Sequence, residues 1–125
     1  MLFQIVDDLL DVLSTPELCH KPVRQDVPQG AYPMPVLLAY RPGVDLTEVA
    51  AADVYATARA RGVAPAVATA YEWADRALAA LDALPPSPAR DRLRRLPVEY
   101  ATTTLTERVA APYEGLVRPS LRALP

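Results

Sequence analysis

An all-α fold is predicted for this 125-residue chain by three observations. Apolar residues recur at spacings of three and four in the opening segment and again from Val67 to Leu81. No stretch alternates apolar and polar residues as a half-buried strand would. Capping residues and 14 prolines cut the chain into helix-length pieces.

The first piece, Met1 to Leu13, is rich in helix-forming apolar residues and is ended by Ser14, Thr15 and Pro16. Glu17 to Gly30, with its prolines and scattered charges, reads as a structured loop, and Met34 to Tyr40 as a short apolar helix stopped by Pro42 and Gly43. Asp45 is an N-cap candidate for an Ala-rich helix from Leu46 to Arg61, with Gly62 as its C-terminal stop. A third helix then has Pro65 in its first turn, Val67, Tyr71, Ala74, Leu78 and Leu81 along one face, and Pro85-Pro86 at its end. Ser87 and Pro88 open a shorter helix with Leu93, Leu96 and Tyr100 on one side, which Pro97 is expected to kink or break. Beyond it the Thr102-Thr103-Thr104 run and Pro112, Pro119 and Pro125 give a tail, 101–125, expected to be partly disordered.

Composition excludes several function classes. A net charge of −2 gives no general attraction for nucleic acid or an anionic membrane, and no apolar stretch approaches the roughly 20 residues that span a bilayer. The single cysteine, Cys19, cannot form an internal disulfide, which points to a packed thiol in a reducing cytoplasm. Acids follow the opening apolar run at once and no basic segment precedes it, so a signal peptide is not expected.

Chemistry concentrates in the first helix. At about 100° per residue, Gln4, Asp7, Asp8 and Asp11 share an arc of roughly 100°, while Leu2, Phe3, Ile5, Val6, Leu9, Leu10, Val12 and Leu13 fill the other side. So apolar a helix is normally buried, and its polar stripe should face a cleft. Acids one turn apart repel by about 0.2–0.5 kcal/mol, more when desolvated, unless a cation joins them. Mg²⁺, which takes oxygen ligands and is commonly held by one or two carboxylates with substrate phosphates, is the candidate; a solvated acidic face is the alternative.

The stretch Phe3-Gln4-Ile5-Val6-Asp7-Asp8-Leu9-Leu10-Asp11 resembles the second aspartate-rich motif of trans-polyprenyl diphosphate synthases. Pro16-Glu17, Lys21-Pro22-Val23, Asp26, Gly30 and Pro35 follow in the order and spacing of that family's post-motif loop. Ala70 to Arg90 is similar to the helix and turn near the family's C-terminus, so the resemblance covers most of residues 3–100, with a connecting helix shortened around Pro42 to Leu46. It implies a partial isoprenoid-synthase helical bundle, the C-terminal helices of a fold in which two aspartate-rich helices face one another across Mg²⁺. It also implies that Asp7, Asp8 and Asp11 bind metal and that Gln4 lines the pocket. Lys21 then contacts the diphosphate of an allylic substrate and helps it depart as the carbocation joins isopentenyl diphosphate and a proton is lost.

Departures carry equal weight. Glycines of the family are replaced by His20 and Arg24, and the second loop lysine and a threonine by Ala31 and Pro33. Arg24 is the candidate to compensate as a substrate-binding cation; His20 is either a phosphate contact or a surface histidine, Lys21 alternatively a solvated lysine, and Asp26 either orients Lys21 or caps a turn. No first aspartate-rich motif and no isopentenyl diphosphate site is present. The leading expectation is therefore a C-terminal half that is inactive alone and needs a second chain carrying the first motif. A non-catalytic subunit modulating a full-length synthase, or a truncated remnant with Met1 directly against the motif, are the alternatives. The apolar girth of the first helix favours a partner, since a short chain has little to bury it against.

Overall fold

The computed structural model describes residues 1–122, which are all-α, with no strand among them. Helix α1 spans Leu2–Leu13, and the short α2, Pro16–Cys19, follows at once with Thr15 as its N-cap. After a 3-10 turn at Val27–Gln29 comes α3, Met34–Ala39, then a second 3-10 turn at Leu46–Glu48, where the Asp45 carboxylate accepts the Thr47 N–H.

The two helices expected on either side of Gly62 are one rod. Helix α4, Ala51–Thr57, passes through a widened π segment, Ala58–Gly62, directly into α5, Val63–Leu81. Gly62 is therefore no helix stop. A Cβ there would lie 1.7 Å from the Pro35 carbonyl oxygen, so glycine is required by the close approach of α3. Pro65 lies just beyond the widened turn, whose altered register takes up a ring that would otherwise collide with the carbonyl four residues back.

Helix α6 runs from Pro88 to Arg108, uninterrupted at Pro97, with the Ser87 side chain accepting the Arg90 N–H at its start. Packing overrides the poor propensity of the threonine run, because Ala101 and Leu105 are fully buried on either side of it. The buried face is this one, whereas Leu93 and Leu96, which share one side of the helix, are 44% and 55% exposed. A 3-10 turn at Ala111–Tyr113 leads to α7, Glu114–Arg122. The segment read as a partly disordered tail thus begins inside a helix, and its residues 123–125 lie outside the described residues.

The core collects Ile5, Val6, Leu9, Val12 and Leu13 of α1, Val36 of α3, Val54 of α4, Val63, Ala66, Val67 and Ala70 of α5, and Leu105 of α6. Helix α1 is consequently sheathed by α5, α6 and α3 of its own chain. That corrects the argument for a partner from its apolar girth: of the large apolar residues in α1 only Phe3 is markedly exposed, and its ring stacks on Tyr100 at 5.7 Å. Ser14, itself buried, fastens the end of α1 by donating to the Arg108 carbonyl at 2.5 Å, while the Ala110 N–H reaches the Leu13 carbonyl at 2.9 Å. Cys19 is buried against Ser14, as a packed thiol should be.

Candidate functional site

With the apolar side of α1 fixed in the core, its polar stripe can only face the loop between α2 and α3. Each carboxylate of the stripe meets a different part of that loop. Asp7 pairs with the Lys21 ammonium at 2.5 Å, both side chains partly exposed. One oxygen of Asp8 accepts the backbone N–H of Met34 at 2.8 Å, at the start of α3, and the other accepts the Gln4 side-chain amide at 2.8 Å. Asp11 accepts the Gln25 N–H at 3.1 Å through one oxygen and the Tyr55 hydroxyl at 2.8 Å through the other. Hydrogen bonds to ionised acceptors are the stronger kind, so the three acids lash the loop to the helix.

Two loop residues, His20 and Arg24, have φ of 55° and 56°, and they are the non-glycine residues with positive φ among the described residues. These are the two positions at which the resemblance calls for glycine. Both positions are left-handed here with a side chain in place, and the turn at His20 presents Lys21 to Asp7. The Arg24 N–H reaches the Asp11 carbonyl at 3.2 Å, which seats Arg24 beside the acids through its backbone. Its exposed guanidinium makes no ion pair among the described residues. His20 is exposed as well. Asp26 turns the chain through its backbone, its carbonyl accepting the Gln29 and Ala31 N–H groups, and its carboxylate makes no cap.

The electrostatics follow from this crowding. The Asp7 hydrogen bond holds the Lys21 ammonium above the ordinary lysine range, so it stays charged. Desolvation, with Asp11, Asp8 and Asp7 nearby, raises the Asp26 carboxyl. Burial and the bond to Asp11 push the Tyr55 phenol far above its usual range, which keeps it a proton donor at any ordinary pH.

Tyr55 is the site residue that sequence reasoning missed. It lies in α4, far along the chain, and its hydroxyl joins Asp11 to the Val27 N–H at 3.4 Å. Nothing in an Ala-rich helix distinguishes one tyrosine as a partner for an acid. The Met34 and Gln25 amides were equally invisible, because a backbone donor leaves no trace in residue type.

The donor set suits a hard cation: carboxylate oxygens with lone pairs remaining, one oxygen of Asp7 without a bond, and a neighbouring ammonium for an anion. Among the described residues no three acids converge into a cage. No described helix is long and apolar enough to cross a membrane.

Comparison with known proteins adds a family. A family model described as Polyprenyl synthetase matches residues 1–70. The chain is 36% identical over 108 residues to the Geobacillus stearothermophilus protein named heptaprenyl diphosphate synthase component 2, a match covering 77% of this chain. It spans only 33% of the length of that relative. No solved structure matches the chain.

Proposed function

The chain belongs to the polyprenyl synthetase family, and from that premise we propose that it is the C-terminal half of a polyprenyl diphosphate synthase, inactive alone. It contributes the second aspartate-rich motif to an active site that condenses isopentenyl diphosphate with an allylic diphosphate. The observation that supports this reading is the pairing of Asp7 with Lys21, which brings an acid of the aspartate stripe and a loop cation together from positions 14 residues apart.

In this reading Asp7, Asp8 and Asp11 would hold Mg²⁺, which would supply Lewis-acid neutralisation of diphosphate charge. The Lys21 ammonium, held charged by Asp7, stabilises the departing diphosphate, and Gln4 and Arg24 bind substrate. Asp8 and Asp11 have a second task, since their bonds to Met34, Gln25 and Tyr55 set the position of the loop that carries Lys21. The division at residue 100 into a synthase-like part and a divergent tail is one of similarity rather than packing, because α6 crosses it. A cytoplasmic location completes the proposal.

The relative's printed name, component 2, favours a two-chain assembly over a remnant. A non-catalytic subunit is the second reading, favoured by Ala31 and Pro33 where the resemblance calls for a lysine and a threonine. The test is reconstitution. Geranyl diphosphate and labelled isopentenyl diphosphate should give no product with this chain alone, and product when a chain carrying a first aspartate-rich motif is added. If Asp7→Asn leaves the reconstituted rate unchanged, the modulating subunit is the correct reading.

A further inference from the structure

Away from the aspartate stripe, a cavity of about 450 Å³ opens where the chain leaves α3, walled by Tyr32, Leu37, Tyr40 and Val44 with Arg41 at its edge. A second cavity of about 310 Å³ adjoins it, sharing Tyr32, Leu46 and Thr47, and continues towards Gly30. Together they form a groove in the size range of ligand sites, roughly 300–1,000 Å³. Its larger part is mostly apolar and uncovered, with Leu37 59% and Val44 47% exposed, and its smaller part is as polar as it is apolar.

The polar groups of the groove are unevenly committed. Asp45 is engaged by the Thr47 N–H at 3.0 Å and the Thr47 hydroxyl at 2.6 Å. Arg41 makes no ion pair among the described residues. The phenols of Tyr32 and Tyr40 make no hydrogen bond there either, the described tyrosine hydroxyl bonds being those of Tyr55 and Tyr71. Among the described residues, one unpaired guanidinium and two unbonded hydroxyls beside the apolar side chains of Leu37, Val44 and Leu46 complement an apolar chain with an anionic, multiply accepting head.

We propose that this groove binds a prenyl phosphate, its chain along Leu37 and Leu46 and its head on Arg41, as a second site independent of the aspartate stripe and of Mg²⁺. The choice of a prenyl chain rests on the proposed function; the charge and shape of the groove do not.

The test is calorimetric titration of the chain with farnesyl monophosphate in EDTA, below the micellar range. One saturable equivalent is expected. Arg41→Ala, at an exposed side chain without a partner, should weaken binding about tenfold, the loss of a charge-assisted contact. Farnesol should bind the wild type as weakly as farnesyl phosphate binds Arg41→Ala, and Arg41→Ala should not weaken farnesol further. Leu37→Asp should abolish binding with the helical circular dichroism retained, and Asp7→Asn should leave it unchanged. Absence of saturable binding in EDTA overturns the proposal, as does binding lost in Asp7→Asn but kept in Arg41→Ala. Laurate binding as tightly as farnesyl phosphate overturns the prenyl assignment. Mg²⁺-dependent binding of geranyl diphosphate reports separately on the aspartate site, so either reading can fail alone.

Discussion

Replacing His20 by glycine should make the protein more stable, although most substitutions do the opposite. His20 sits at φ 55° as the C-terminal cap of α2, in the left-handed region. For a residue with a Cβ that conformation costs about 1–2 kcal/mol, and histidine, which tolerates it better than most, belongs at the lower end. Glycine removes the cost but loosens the unfolded chain, worth about 0.4–1 kcal/mol in the other direction. The net expectation is a gain of about 0.5 kcal/mol, with a similar gain for Arg24→Gly at φ 56°. For a chain of this length the double variant should melt higher by about 3–5 °C. Urea unfolding followed by circular dichroism measures this, with Gln25→Gly as the control. Gln25 has no positive φ, so its replacement should cost about 0.5–1 kcal/mol. If His20→Gly destabilises as much as Gln25→Gly, the loop is not left-handed at His20 and the account of how Lys21 reaches Asp7 is wrong.

Three further outcomes follow from the packing. Gly62→Ala should cost about 3 kcal/mol or more, because its Cβ would meet backbone, the Pro35 carbonyl at 1.7 Å; a chemical melt within 1 kcal/mol of wild type would refute the close approach. Ser14→Ala should cost about 1–3 kcal/mol by stranding the Arg108 carbonyl, and hydrogen exchange should show the end of α6 opening first. Tyr55→Phe should cost about 1.5–3 kcal/mol, since the lost bond is to a carboxylate. Its pH signature has a definite sign. Tyr55 and Lys21 are both raised in the folded state, so their contributions are complete below their unfolded values of 10.0 and 10.5 and fade as pH rises beyond them. The wild type should therefore lose stability above about pH 10 more steeply than Tyr55→Phe, and equal slopes would contradict the placement of Tyr55.

Helix class and the burial of α1, α5 and the Ser87 cap were legible in sequence because periodicity and capping are local. Gly62 shows where that legibility stops. A glycine at the end of an Ala-rich run reads as a helix stop, yet its cause is the Pro35 carbonyl, 27 residues away, and no local pattern encodes such an approach. Leu93 and Leu96 share the lesson: apolar spacing puts them on one side of α6, but Ala101 and Leu105 are the residues it buries. In the site, the acids and Lys21 were identifiable by type and spacing. Tyr55 and the Met34 amide were not, because they arrive through the chain's return across α3 and α4. The apolar girth of α1 was read as needing a partner, whereas 125 residues suffice to cover it.

The most direct test of the central claim is calorimetric binding of geranyl diphosphate to the purified chain, with Mg²⁺ and then with EDTA, for the wild type and Asp7→Asn. Asp7 is the right position because its bond is to Lys21 at the surface, so the fold should survive the change. The account predicts binding that requires Mg²⁺ and weakens at least about tenfold in Asp7→Asn, a loss of one charged ligand. Binding that is indifferent to both EDTA and Asp7→Asn would contradict it, and the acids of α1 would then serve only to hold their loop.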